Sequence, residues 1–122
     1  LFDTHDNLEH LHLMEKGLSK LPGDWCTKAS DDTRACFSMS NGGALRQITD
    51  TKSLARIFRM RHVSETIQDA DLLDLVTSCL RYDRTKRLTA RQMANHPYVQ
   101  KHYPDWLEER SKIDDQFPSP KQ

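Results

Sequence analysis

The chain has 122 residues, enough for one domain or part of one. Its 18 Lys and Arg balance 18 Asp and Glu, which removes any bulk electrostatic case for a nucleic-acid binder or a membrane-surface protein. Only 36% of the residues are apolar, so a domain of this length standing alone would bury a thin core. No apolar run approaches the roughly 20 residues needed to cross a bilayer. The opening LFDTHDNLEH has neither a basic n-region nor an apolar h-region, and a start at Leu1 is that of a processed or truncated product. Cys26, Cys36 and Cys79 are odd in number and lack C-x-x-C spacing, which argues against a disulfide framework or zinc site. They are expected as reduced thiols in cytoplasm or nucleus, with Cys79 in the core.

Residues 6–18, DNLEHLHLMEKGL, predict a helix. Asp6 can accept the backbone N–H of Glu9 while Glu9 reaches back, a capping box with Asp in place of Ser or Thr. Leu8, Leu11, Met14 and Leu18 fall on one face, and Gly17 and Pro22 supply the stop. Residues 23–50 show neither helical nor strand period. Ser-Asn-Gly-Gly between Phe37 and Leu45 is either the turn of a small hairpin or part of an ordered loop.

Residues 51–62 carry Leu54, Ile57 and Phe58 beside Arg56, Arg59 and Arg61, a short basic amphipathic turn or helix. Residues 69–80 predict a clearer helix, with acidic residues at its start and Leu72, Leu73, Val76, Cys79 and Leu80 as its apolar face. A third begins at Thr89, with Gln92 as capping-box partner, and ends at His96, because Pro97 disfavours the α conformation before it. Trp106 and Leu107 suit one docked turn, and disorder is expected beyond Asp114.

Catalytic constellations are missing. Gly42-Gly43 is no phosphate loop, and His10 and His12, two apart on a helix, point to different faces. His5, His62 and His102 read as surface histidines. No catalytic, cofactor-binding or metal residue is assigned. The cations Arg81, Arg84, Lys86, Arg87 and Arg91 form a charged connector rather than a nucleic-acid surface, since only Tyr82 interleaves them. Direct nucleic-acid binding is not expected.

From Leu80 to Tyr98, LRYDRTKRLTARQMANHPY resembles the last conserved segment of the eukaryotic protein kinases: a leucine, an Asp-Pro pair, an arginine, a Thr or Ser cap, a short helix, and His-Pro-aromatic. Asp83, Arg87, Thr89, Ala94, His96, Pro97 and Tyr98 match, while Arg84 stands where the family has proline. Asp83, Arg87, Thr89, His96 and Pro97 are thereby the structural anchors. Glu9-His10-Leu11-His12-Leu13-Met14-Glu15-Lys16 resembles the helix motif of the LAMMER, or CDC-like, kinases of the CMGC group, E-H-L-A-M-M-E-R. It matches at Glu9, His10, Leu11, Met14 and Glu15 and departs at His12, Leu13 and Lys16, which marks a divergent member or a neighbour.

The resemblance implies a mainly α fold. Residues 1–103 would be the helical C-terminal part of a kinase C-lobe, with a polar insert at about 23–50 that accommodates a short β-hairpin, and residues 104–122 a partly disordered tail. It implies a parent that transfers the γ-phosphoryl group of ATP, with Mg²⁺, to Ser or Thr, and also Tyr, of proteins such as Arg/Ser-rich splicing factors, in nucleus or cytoplasm. The Gly-rich loop, His-Arg-Asp, Asp-Phe-Gly and Ala-Pro-Glu motifs do not occur in the chain. By the family's order they lie upstream, so the upstream part of the kinase domain is an implied partner, no ATP or Mg²⁺ is expected on this chain, and the chain alone is expected to be inactive, a docking and scaffolding end. In the family the arginine matching Arg87 pairs with the Ala-Pro-Glu glutamate. Without it, exposure around Arg87 and marginal stability are expected. The alternative is a non-catalytic helical interaction module, a pseudokinase remnant or splice product.

Overall fold

The computed structural model describes residue 2 and residues 5–116, and the chain divides into two compact units, Leu1–Gln68 and Asp69–Gln122. The first unit opens with α1 (Asn7–Gly17), where Asp6 Oδ1 accepts the Glu9 N–H at 2.8 Å. The reciprocal half of the expected capping box is not made, because the Glu9 side chain turns inward and is fully buried. The buried face also differs from the expected stripe. Glu9, Leu11, Leu13 and Gly17 are buried, and Leu8, Met14 and Leu18 only half so. The reason is that α1 is covered on two flanks, by helix Thr51–Arg59 (α4) and by strand Ala44–Leu45 (β2).

Between them lie two one-turn helices, α2 (Trp25–Lys28) and α3 (Asp31–Arg34), packed on each other. A hairpin follows. Phe37–Ser38 (β1) pairs antiparallel with β2, Phe37 opposite Leu45 and Ser38 opposite Ala44. The connection is longer than a two-residue Asn-Gly turn: a 3₁₀ turn at Met39–Asn41, then Gly42 and Gly43 at φ +65° and +78°. A side chain on Gly43 would be doubly opposed, since its Cβ would stand 2.7 Å from Cys26 Sγ in addition to the left-handed backbone. Cys26 and Cys36 are buried with Leu21 and Phe37, while Cys79, expected in the core, is half-buried with its thiol donating to Met93 Sδ at 3.2 Å.

α4 is capped by Asp50, whose Oδ2 accepts the Ser53 N–H at 2.8 Å. A one-turn helix that the sequence did not suggest, α5 (Val63–Thr66), is capped by His62.

The second unit is built differently. α6 (Ala70–Cys79) is capped by Asp69, α7 (Ala90–Ala94) by Thr89, and α8 (Pro97–His102) by His96. The expected single helix from Thr89 to His96 thus ends at Ala94, and His96 opens a new one with Pro97 at its first position, where a missing N–H costs nothing. α8 packs on both α6 and α7. Beyond it, α9 (Trp106–Gln116) replaces the expected single docked turn and runs past Asp114; residues 117–122 lie outside the described residues. Among the described residues, every apolar side chain that is fully buried belongs to the first unit, and the second buries only Ser78 and His96. The apolar stripe of α6 stays half-exposed.

Gly43→Ala is expected to lower stability by about 1–2 kcal/mol, the cost of a left-handed Cβ. Gly23→Ala, with nothing within 4 Å of its Cβ position, should leave the melting curve nearly unchanged. Thermal unfolding of the two variants side by side checks this.

Candidate functional site

α1 and α4 meet through a buried charged cluster. Arg56 donates from Nε to Glu9 Oε1 at 2.5 Å and from Nη2 to Glu9 Oε2 at 2.7 Å, a two-point fork. The Ser53 hydroxyl donates to Oε2 at 2.7 Å, and Arg56 Nη2 also reaches Ser53 Oγ at 3.3 Å. Glu9 has no exposed side-chain surface, and Arg56 keeps 27% of its own. Both carboxylate oxygens are therefore satisfied without water. The Arg56 hydrogen bonds, helped by Ser53 and opposed by burial, hold the Glu9 carboxyl at about 2, against an ordinary 4.5.

The rest of the Glu9–Glu15 stretch secures the same helix. Leu11 is buried, His10 stacks obliquely on Phe2 at 5.6 Å, and Met14 and Glu15 are half-buried. His12 reaches the Arg46 carbonyl with Nε2 at 2.8 Å. Lys16 donates to the Ile57 and Phe58 carbonyls at 2.7 and 2.8 Å at the C-terminal end of α4, where the Met60 N–H also meets Ile57. Two of the positions that depart from the LAMMER motif, His12 and Lys16, are thus tethers.

In the second unit the residues from Asp83 to Pro97 form a succession of caps. Asp83 Oδ1 accepts the Thr85 hydroxyl at 2.7 Å and its N–H at 2.9 Å, which holds the Asp83 carboxyl below its usual range. Thr89 and Gln92 complete a reciprocal capping box, at 3.2 Å to Thr89 Oγ1 and 2.8 Å back to Gln92 Oε1. The buried His96 accepts the Tyr98 N–H with Nδ1 at 3.1 Å, so its proton sits on Nε2, 2.8 Å from Asp74 Oδ2. Arg87 is exposed, and its Nε donates to the Arg81 carbonyl at 2.6 Å. The five cations of the connector are all exposed.

The two sets of residues suggested by the sequence belong to different units. Glu9 is committed to Arg56 and His96 to a helix cap, so neither is poised as an acid or base toward a substrate. Among the described residues no three His, Cys, Asp or Glu side chains gather as a metal site would, and no helix is long and apolar enough to cross a membrane. Sequence reasoning missed Ser53 and Arg56 as partners of Glu9. The available signal was Arg56 standing among the apolar positions of α4, four after Lys52 and one before Ile57.

Because the folded Glu9 value lies below the unfolded one, the ionised pair stabilises the fold above about pH 4.5, and this contribution is lost as pH falls toward about 2. Glu9→Gln is expected to lower the melting temperature at neutral pH by on the order of ten degrees and to flatten that acid loss. Equal melting curves at pH 7 would remove the pair as an anchor. His96→Ala should cost about 1–2 kcal/mol through the lost cap, with His96→Asn, which can still accept the Tyr98 N–H, recovering part; denaturant titration distinguishes them.

No family model matches the chain. It is similar to serine/threonine-protein kinase AFC1 of Arabidopsis thaliana, 37% identical over an alignment of 109 positions that covers 80% of this chain and 22% of that protein. It is also similar to dual specificity protein kinase CLK2 of Homo sapiens, 34% identical over an alignment of 103 positions that covers 80% of this chain and 20% of the relative. The chain therefore spans about a fifth of the length of these curated relatives. The crystal structure of the PF14_0431 kinase domain matches in fold with a TM-score of 0.72, at 20% identity, over 81% of this chain and 30% of that one. In sequence the chain is similar to the LAMMER, or CDC-like, protein kinases, and in fold it matches part of a kinase domain and is C-lobe-like.

Proposed function

We propose that this chain is the C-terminal part of a kinase domain whose complete form transfers the γ-phosphoryl group of ATP to serine, threonine and also tyrosine hydroxyls of proteins, Arg/Ser-rich nuclear splicing factors among them. The names of the similar proteins, a serine/threonine kinase and a dual specificity kinase, support the reaction class. The observation that carries the reading is the second unit. It has the kinase-like order of caps from Asp83 to Pro97 yet buries no apolar side chain fully among the described residues, as a lobe completed by further chain would.

The residues present do not fit ATP or Mg²⁺. The 122 residues contain no Gly-rich loop, His-Arg-Asp or Asp-Phe-Gly segment, and among the described residues no acidic cluster stands ready for a metal. Both belong to the upstream part of the domain, and no catalytic step runs through this chain. Its contribution is scaffolding, through the α1–α4 junction, and docking. Arg87, exposed and held to the Arg81 carbonyl, is the cation that an Ala-Pro-Glu glutamate would meet.

The test starts from the coding sequence upstream of Leu1. A continuous frame with the missing motifs, whose product phosphorylates an Arg-Ser peptide with Mg-ATP while the 122-residue chain does not, supports the reading. A start codon at that point, or an inert full-length product, sinks it and favours the non-catalytic interaction module. In the complete kinase Arg87→Ala is expected to cost about 3–5 kcal/mol of stability, as loss of a buried partner does, and in the 122-residue chain within about 0.5 kcal/mol, as an exposed site does. Paired denaturant titrations measure both.

A further inference from the structure

The first unit carries a cleft of about 510 Å³ lined by Lys16, Phe58, Arg59, Met60, Arg61, His62 and Glu65. Three of these are cations and one is a carboxylate. Its walls are fixed by bonds already made. Lys16 is tied to the two carbonyls at the end of α4, and its ammonium lies 5.4 Å from the Phe58 ring centroid, steadying that ring from one side. His62 is held at both nitrogens, Nε2 to the Leu18 carbonyl at 2.7 Å and Nδ1 to the Ser64 hydroxyl at 2.7 Å. Met60 passes over α1 where Gly17 has no side chain; a Cβ there would stand 2.5 Å from Met60 Cε.

Against these fixed walls, two kinds of group stay open. Phe58 is 83% exposed, the most exposed large apolar side chain among the described residues. Arg59 uses only Nε, on the Ala55 carbonyl at 3.2 Å, and the exposed Arg61 side chain makes no hydrogen bond or ion pair among the described residues. An exposed ring lining one cleft with two guanidiniums that keep N–H groups open is complementary to an apolar side chain accompanied by carboxylates.

We propose that this cleft docks an acidic peptide segment of a partner protein, with an apolar side chain on Phe58 and its Asp or Glu carboxylates on Arg59 and Arg61. A second copy of the chain fits poorly, because a two-fold contact would set the same cations face to face. A nucleic acid fits poorly as well, because two open guanidiniums and one ring make no continuous phosphate track on a chain of zero net charge. The site stands on the 122-residue chain itself and needs no phosphoryl transfer, so it survives or fails apart from the kinase reading.

The experiment is fluorescence anisotropy of a labelled Glu-Glu-Asp-Leu-Glu-Glu peptide with the full 122-residue chain at low salt. The expected result is saturable binding that weakens at least about tenfold in Arg59→Glu/Arg61→Glu and also in Phe58→Ala. All three positions are solvent-facing or partly so, and thermal melts confirm that the variants fold. Arg84→Glu/Lys86→Glu, which reverses two exposed cations elsewhere, should leave binding unchanged. The proposal is overturned by no saturable binding, by an equal loss in the Arg84/Lys86 variant, by no loss in Phe58→Ala, or by a single-stranded oligoribonucleotide that binds the same cleft more tightly than the peptide.

Discussion

One buried carboxylate organises the first unit. Glu9 sits on the buried face of α1 with Leu13 and Gly17, and it is accepted there only because Arg56 and Ser53 together satisfy both of its oxygens. A leucine at that position would fit many relative placements of two helices. A carboxylate facing a guanidinium fork fits one, because any slide of α4 along α1 strands a charge away from water. The pair is therefore a device for register, and its cost in desolvation is offset by the geometry of four converging hydrogen bonds.

Register at the α1–α4 junction then propagates to everything attached to it. With α4 fixed, its C-terminal carbonyls come within reach of Lys16, and the chain continues over Gly17 to place Met60 and His62. On the other flank His12 ties α1 to the backbone just after β2, which brings the hairpin of the insert against the same helix. The LAMMER-like stretch thus acts as a hub for structure, and the surface beside it inherits a fixed shape from bonds made beneath.

The second unit is held by a different kind of interaction. Its short helices begin at Asp69, Thr89 and His96, each spending a side-chain acceptor on orphan backbone N–H groups, and an apolar stripe on α6 remains half-exposed. Caps define where helices start, but they contribute less to cohesion than a filled core does. That difference explains why the Asp83–Pro97 run was the most legible part of the chain. Cap chemistry is local, three residues wide, and written in residue type.

Helix starts at Asp6, Asp69 and Thr89, the hairpin near Asn41-Gly42 as one of two readings, and the mainly α character were legible from sequence for that reason. So was the kinase resemblance, carried by two motifs. Long-range choices were hidden. Glu9 looked like the second half of a capping box because the competing partner lies 47 residues away, and nothing in the spacing of α1 announces Arg56. His96 looked like a helix end because proline stops the preceding helix, although the same proline starts the next one. Sequence by itself determined where backbone N–H groups would find local acceptors, since that depends on neighbours three residues apart. Only the tertiary structure decided which charged side chain is buried, because the cost of burying Glu9 is set by the fork that meets it from another helix.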